Sequence, residues 1–274
     1  MKTPWLHRCA ILLALSALLL IVSGAMLNPA TQTAHRIAAA ALGALTVGLV
    51  LWLILADPRA EARRLGWLTL GIVAFEGLAG ISSVQATIPH TAGIAHALLA
   101  QAFFAALVAV AVVTSEAWSR GPELVYDYGW PSMRTLAIMT PVLVLLQITL
   151  GAAFRQKTLT LLPHVLGAMF VALVILLESV FVLQQFPTHR ALRPAAKTLL
   201  GVAFAQVFLG IAALTMKSMA DDTDLGVMIT VATHVTGGAV TLATAVVLSI
   251  LIRRNVQPRI EEDDEDSLEA PAAN

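Results

Sequence analysis

The sequence predicts an all-α polytopic membrane protein of eight transmembrane helices, built as two tandem, pseudo-twofold-related four-helix bundles. Three observations carry this. Hydrophobic residues make up 58% of the 274 and charged residues 12%, with a mean hydropathy of +0.82, outside the range of soluble globular domains. Apolar runs of about 18 to 22 residues recur along the chain, each long enough at 1.5 Å per residue to cross a hydrocarbon core of about 30 Å. The runs are continuous in Ala, Leu and Val, without the alternation of barrel strands, so their backbone groups must be satisfied within helices.

In chain order the spans cover about residues 10–27, 35–56, 67–87, 94–114, 136–154, 164–185, 197–216 and 228–252. The first follows Lys2 and Arg8, as a signal peptide would, but its apolar run is too long and no A-x-A site follows, which makes it the first helix. Residues 1–114 then form an N-terminal bundle, 115–135 a cytoplasmic connection, 136–252 a C-terminal bundle and 253–274 an acidic tail. Seven of the seventeen acidic residues (Glu261, Glu262, Asp263, Asp264, Glu265, Asp266 and Glu269) lie in that tail, and without these seven the chain has seventeen cationic residues against ten acidic ones. A block of like charge is expected to be solvated and disordered. The single cysteine, Cys9, excludes an internal disulfide.

With the N-terminus inside, thirteen cationic residues fall on cytoplasmic segments and only Arg36, Arg155, Lys157 and Lys217 on outer ones. This positive-inside bias places both termini in the cytoplasm. Trp5, Trp52, Trp67, Trp118 and Trp130, with Tyr126 and Tyr128, fall at the same cytoplasmic boundary, where amphipathic rings sit among headgroups.

A two-helix unit repeats along the chain. Each even span opens near a histidine: His35, His96, His164 and His234. The odd spans carry a polar residue four before a glycine: Glu76 and Gly80, Gln147 and Gly151, Gln206 and Gly210, with Leu20 and Gly24 as the degenerate member. Tandem duplication of a four-helix unit about an axis along the membrane normal fits this pattern.

Because the even spans all enter from the outer face, their histidines share one side of the membrane and a similar depth. Neutral imidazole is a strong iron ligand, and an iron in a porphyrin plane takes axial donors from opposite sides, which facing helices of a bundle supply. Two pairs imply two hemes. Zinc or copper usually takes three or four clustered ligands, and no Cys, Asp or Glu accompanies these histidines at ligand spacing. Gly167 and Ala168 after His164, and Gly237 and Gly238 after His234, would let a flat macrocycle approach the backbone, or would serve ordinary helix packing. Arg36, Arg155, Lys157 and Lys217 would pair with heme propionates or snorkel to the lipid surface. Glu76 lies mid-span, where a carboxylate is costly, and its equivalents Gln147 and Gln206 point to an interhelical hydrogen-bonding role. Glu178 lies near a cytoplasmic end and is expected to snorkel. His90 falls in an outer loop, while His7 and His189 lie on the opposite side from the four.

On these residues the sequence resembles the heme A synthase family, the cytochrome oxidase assembly proteins of bacteria and mitochondria. The resemblance rests on Leu146-Gln147-Ile148-Thr149-Leu150-Gly151-Ala152 with Arg155, on Gln206-Val207-Phe208-Leu209-Gly210, and on His164 and His234, with weaker matches at His35-Arg36 and His96. It implies an enzyme of the bacterial plasma membrane that oxidises a methyl group of heme O to the formyl group of heme A by successive hydroxylations. It also implies that His164 and His234 hold a heme b cofactor, with Arg155 and Lys217 beside it, and that His35 and His96 belong to the substrate heme site. The cofactor would handle electrons while the protein orients the ring edge.

Two features depart from the family. Gln32 stands three residues before His35 where members place a glutamate; an amide hydrogen-bonds but cannot supply negative charge to a cationic intermediate. The outer loop at 28–34 is short and lacks the cysteine pair of many bacterial members. Both fall at the substrate site, which keeps a second reading open: a non-catalytic diheme b-type cytochrome, or an assembly factor that holds and passes heme. The partners implied are membrane lipid, a heme O donor enzyme or the oxidase assembly machinery, and an electron donor that the sequence does not name. A homo-oligomer is compatible with the composition, and nothing points to nucleic acid.

Overall fold

The computed structural model describes residues 4–26, 30–85 and 89–258. Residues 27–29 of the outer loop and the acidic stretch Glu261 to Glu269 lie outside the described residues. Among the described residues, eight helices are long and apolar enough to cross a membrane: α1 (Pro4–Ala25), α2 (Gln32–Ala56), α3 (Ala60–Gln85), α4 (Pro89–Val113), α6 (Met133–Arg155), α7 (Leu161–Gln185), α8 (Leu192–Met219) and α9 (Leu225–Asn255). A four-residue helix, α5 (Glu116–Ser119), and a parallel strand pair, β1 (Val125–Asp127) with β2 (Val256–Pro258), complete the elements of the described residues. The chain is thus an all-α, multi-pass membrane protein.

Several helices overrun their apolar runs at the cationic end. α1 starts at Pro4 rather than 10, α3 at Ala60 rather than 67, and α8 at Leu192 rather than 197. A hydropathy reading stops at the first charges, whereas the backbone ladder continues through them, since Arg and Lys are good helix formers whose heads reach water. Pro4 occupies the first turn of α1, where a missing N–H breaks no helical bond. Asp224 caps α9 by accepting from the N–H groups of Gly226 (2.8 Å) and Val227 (3.3 Å).

Helix neighbours form two closed rings, α1–α2–α3–α4 and α6–α7–α8–α9. The rings meet where α4 packs on α9, flanked by α4 on α6 and α1 on α9. Exchanging α1–α4 for α6–α9 maps this pattern of neighbours onto itself, as a pseudo-twofold axis does. Within each ring the histidine-bearing helices, α2 with α4 and α7 with α9, stand diagonally. Ala105, Ala106 and Ala109 of α4 and Ala239, Ala243 and Ala245 of α9 are all buried, small residues that let backbones approach where lipid offers no hydrophobic drive. Leu19, Leu55, Phe75 and Phe208 face outward, as side chains in contact with lipid do.

The ends opposite the four histidines are tied together by polar contacts that the hydropathy pattern hides. The tail does not begin at 253: α9 runs to Asn255, and Val256 pairs with Val125. Asn255 Oδ1 accepts from the Glu123 N–H (2.8 Å). Arg254 lies 3.7 Å over the Trp118 ring and donates to the Trp118 carbonyl (2.6 Å). Trp118 is therefore buried at 7% exposure rather than set among headgroups; the other boundary aromatics are exposed as expected. His189 is buried, its Nδ1 accepting from the N–H groups of Ala191 and Leu192 (both 3.1 Å), which leaves Nε2–H to donate to the Glu123 carbonyl (2.9 Å). Glu178 does not snorkel. It is 1% exposed, and its carboxylate oxygens are buried without a hydrogen-bond partner among the described residues.

Candidate functional site

The site is built from four copies of one contact. Helices α2, α4, α7 and α9 begin at the end of the bundle where α1, α3, α6 and α8 finish, so each histidine meets the last turns of the preceding long helix. A glycine waits there each time. A Cβ placed on Gly24 would stand 3.1 Å from His35 Cε1, on Gly80 3.1 Å from His96 Cε1, on Gly151 2.9 Å from His164 Cε1, and on Gly210 3.0 Å from His234 Cε1. The glycines that mark the repeat in the sequence are thus the floors on which the imidazoles lie; any side chain there would push the ring away.

The polar residue four before each glycine has a related task. Glu76 Oε1 lies 3.1 Å from His96 Nδ1. Gln147 Nε2 lies 3.0 Å from His164 Nδ1 and donates to the His164 carbonyl (2.8 Å), and Gln206 Nε2 donates to the His234 carbonyl (3.0 Å). In α1, where Leu20 breaks the pattern, Ser23 takes over at 2.8 Å from His35 Nδ1. Sequence reasoning missed Ser23 because it sits one residue before the glycine instead of four. It also did not pair Glu76 with a histidine, since the two are far apart in the chain. Gly167 and Gly237 are accounted for differently from the expected macrocycle approach: a Cβ at either would run into the carboxamide oxygen of Gln147 or Gln206, so these glycines make room for the glutamines.

His164 and His234 face each other across the second ring, with ring centroids 6.1 Å apart and planes at 88°. An imidazole nitrogen bonds a transition metal at about 2 Å and lies about 1 Å from its ring centre, so two imidazoles sharing one metal have centroids roughly 6 Å apart. His35 and His96 both line a cavity of about 450 Å³ in the first ring, together with Gln32, Glu76, His90 and Gln101. Among the described residues no group of three or more His, Cys, Asp or Glu gathers as a metal cage.

The cations fall in unexpected places. Arg155 and Gln156, at the end of α6 in the second bundle, line the cavity of the first, and Arg155 donates to the Ala25 carbonyl (2.8 Å). The expectation that Arg155 stands beside the His164–His234 couple is therefore revised, because the seam between the rings carries the end of α6 over to the neighbouring half. Lys217 is paired with Asp222 (2.8 Å) and does not line that cavity. His90, assigned to a loop, lies near the start of α4 and lines the cavity. His7 stays apart from the four, with Nδ1 2.8 Å from the Ala111 carbonyl.

A search of curated proteins found no match. The sequence resemblance rested most heavily on the second bundle, yet the match to a protein family falls on the first. Residues 13–108, the stretch that contains Gly24, His35, Glu76, Gly80 and His96, match the family model of the cytochrome oxidase assembly proteins.

Proposed function

We propose that this chain is a heme A synthase-like membrane oxidoreductase of cytochrome oxidase assembly, converting a methyl group of heme O to the formyl group of heme A. In this reading His164 and His234 hold a heme b in the second bundle, and His35 and His96 take the substrate heme in the first. The observation that carries the reading is the cavity of about 450 Å³ lined by both His35 and His96, within the range of sites that enclose a small organic ligand. The donor set suits the group: paired neutral imidazoles without a third ligand favour axial ligation of a porphyrin over zinc or copper. The 6.1 Å between the His164 and His234 rings fits a shared metal. Heme b would supply one-electron chemistry; the protein's own part is to fix the ring edge and exclude water. Arg155, which lines the cavity, would meet a propionate, and Lys217, the other cation expected at a heme, is in a partly exposed pair with Asp222. By the cationic bias of the sequence both termini would lie in the cytoplasm and the histidines toward the outer face, and the family resemblance implies a bacterial plasma membrane.

Gln32 favours a second reading. It lines the same cavity with an amide where the family carries a carboxylate, and a site that binds heme without oxidising it would belong to a diheme b-type cytochrome or a heme-handling assembly factor. Expression beside a heme O supply separates the two. Heme A in acid–acetone extracts is the outcome expected of the enzyme, and extracts holding only hemes B and O would remove that activity.

A further inference from the structure

Three helices place a polar residue four before the glycine that floors a histidine. In α6 and α8 it is glutamine, Gln147 and Gln206, and in α3 it is glutamate, Glu76. The amide suffices for packing and for holding the neighbouring helix, since both glutamines donate to a histidine carbonyl. A carboxylate inside a membrane span is far more costly than an amide, so packing alone does not call for Glu76. Its surroundings do. Its Oε1 lies 3.1 Å from His96 Nδ1, with only 16% of its side chain exposed, and among the described residues it is the one acidic residue lining the first cavity, which it shares with His35, His90, His96 and Arg155. Gln32, where the family resemblance leads one to expect the carboxylate, lines the same cavity.

We infer that Glu76 is a positioning residue of the first site: its carboxylate stands 3.1 Å from His96 Nδ1 and gives this ligand an anionic neighbour that the other three lack. This rests on the reading that His35 and His96 ligate a heme. The neighbour of His35 Nδ1 is a hydroxyl and that of His164 Nδ1 an amide, while neither His96 Nδ1, 3.1 Å from the Glu76 carboxylate, nor His234 Nδ1 completes a hydrogen bond among the described residues. A carboxylate beside a ligating imidazole makes it a stronger donor, and negative charge in a cavity favours the ferric over the ferrous state. The first-bundle heme is therefore held at a lower reduction potential than it would have beside an amide, and the two hemes are unlike although their histidine frames repeat.

The test is a spectroelectrochemical titration of the full chain loaded with both hemes, with and without Glu76→Gln, a change that copies the residue of the two equivalent helices. The first-bundle heme is identified as the one that persists in His164→Ala. The variant is expected to reduce that heme at least tenfold more favourably, about 59 mV for one electron, while the second-bundle heme keeps its potential and reports an intact fold. A two-heme variant with an unshifted first potential, or with both potentials moved alike, overturns this inference and leaves the proposed function standing. A parent protein with no heme in its first bundle overturns both.

Discussion

Alanine in place of His164 or His234 is expected to halve the heme content of the purified protein, from two per chain to one, and alanine at His35 or His96 to remove the other half. The expectation follows from how the rings are paired. His164 and His234 stand across one ring with centroids 6.1 Å apart, and His35 and His96 line a separate cavity in the other, so no imidazole can serve both irons. On the proposed function each couple would hold one heme, and removing either imidazole of a couple would take away one of the two residues that hold it. Reduced-minus-oxidised spectra and pyridine hemochrome content measure the effect. Variants that fall into two spectral classes, {35, 96} and {164, 234}, agree with the pairing; four variants that lose the same heme, or any that loses both while remaining folded, do not.

The second large effect comes from adding a single methyl group. Glycine within a helix is less favourable than alanine by about 1 kcal/mol, so Gly151→Ala should leave α6 as stable as before or more so. Yet its new Cβ would stand 2.9 Å from His164 Cε1, closer than carbon atoms settle, and the ring cannot retreat without leaving its partner. Heme content of the second bundle is expected to fall several-fold while the melting temperature of the heme-free protein holds or rises. Gly48, which has open space around the position of a Cβ, is the control: Gly48→Ala should leave heme content unchanged. Equal heme loss in both variants would show that the glycines act through helix packing in general and not through the imidazoles.

Much of this was legible in the sequence. Continuous apolar runs fix eight spans, because lipid leaves a backbone no other partner than its own helix, and the recurrence of histidine and of glycine four after a polar residue exposes the repeat. What hydropathy conceals lies where polar groups are buried in protein instead of meeting water. Trp118 was expected at an aqueous boundary and is buried beneath Arg254, while Glu178, expected to reach water, is buried without a hydrogen-bond partner among the described residues. The strand pair of Val125–Asp127 with Val256–Pro258 is three residues long on each side, too short to leave a period in the sequence. At the site, the histidines and glycines could be named in advance, but their partnership could not, because the ring-on-glycine contact is a property of two helices and appears in neither alone. Arg155 shows the same limit from another side: its place at the end of α6 was plain, and the crossing of that end into the neighbouring bundle's cavity depends on how the two rings dock.

On the proposed function the four imidazoles act as two opposed couples, each closing on one iron. Low-temperature electron paramagnetic resonance of the ferric protein, purified in mild detergent after expression with a heme O supply, tests it most directly. Two distinct low-spin signals with two hemes per chain are predicted. A high-spin signal for either heme, which marks an iron with a single histidine, or a protein that carries no heme at all, would contradict it.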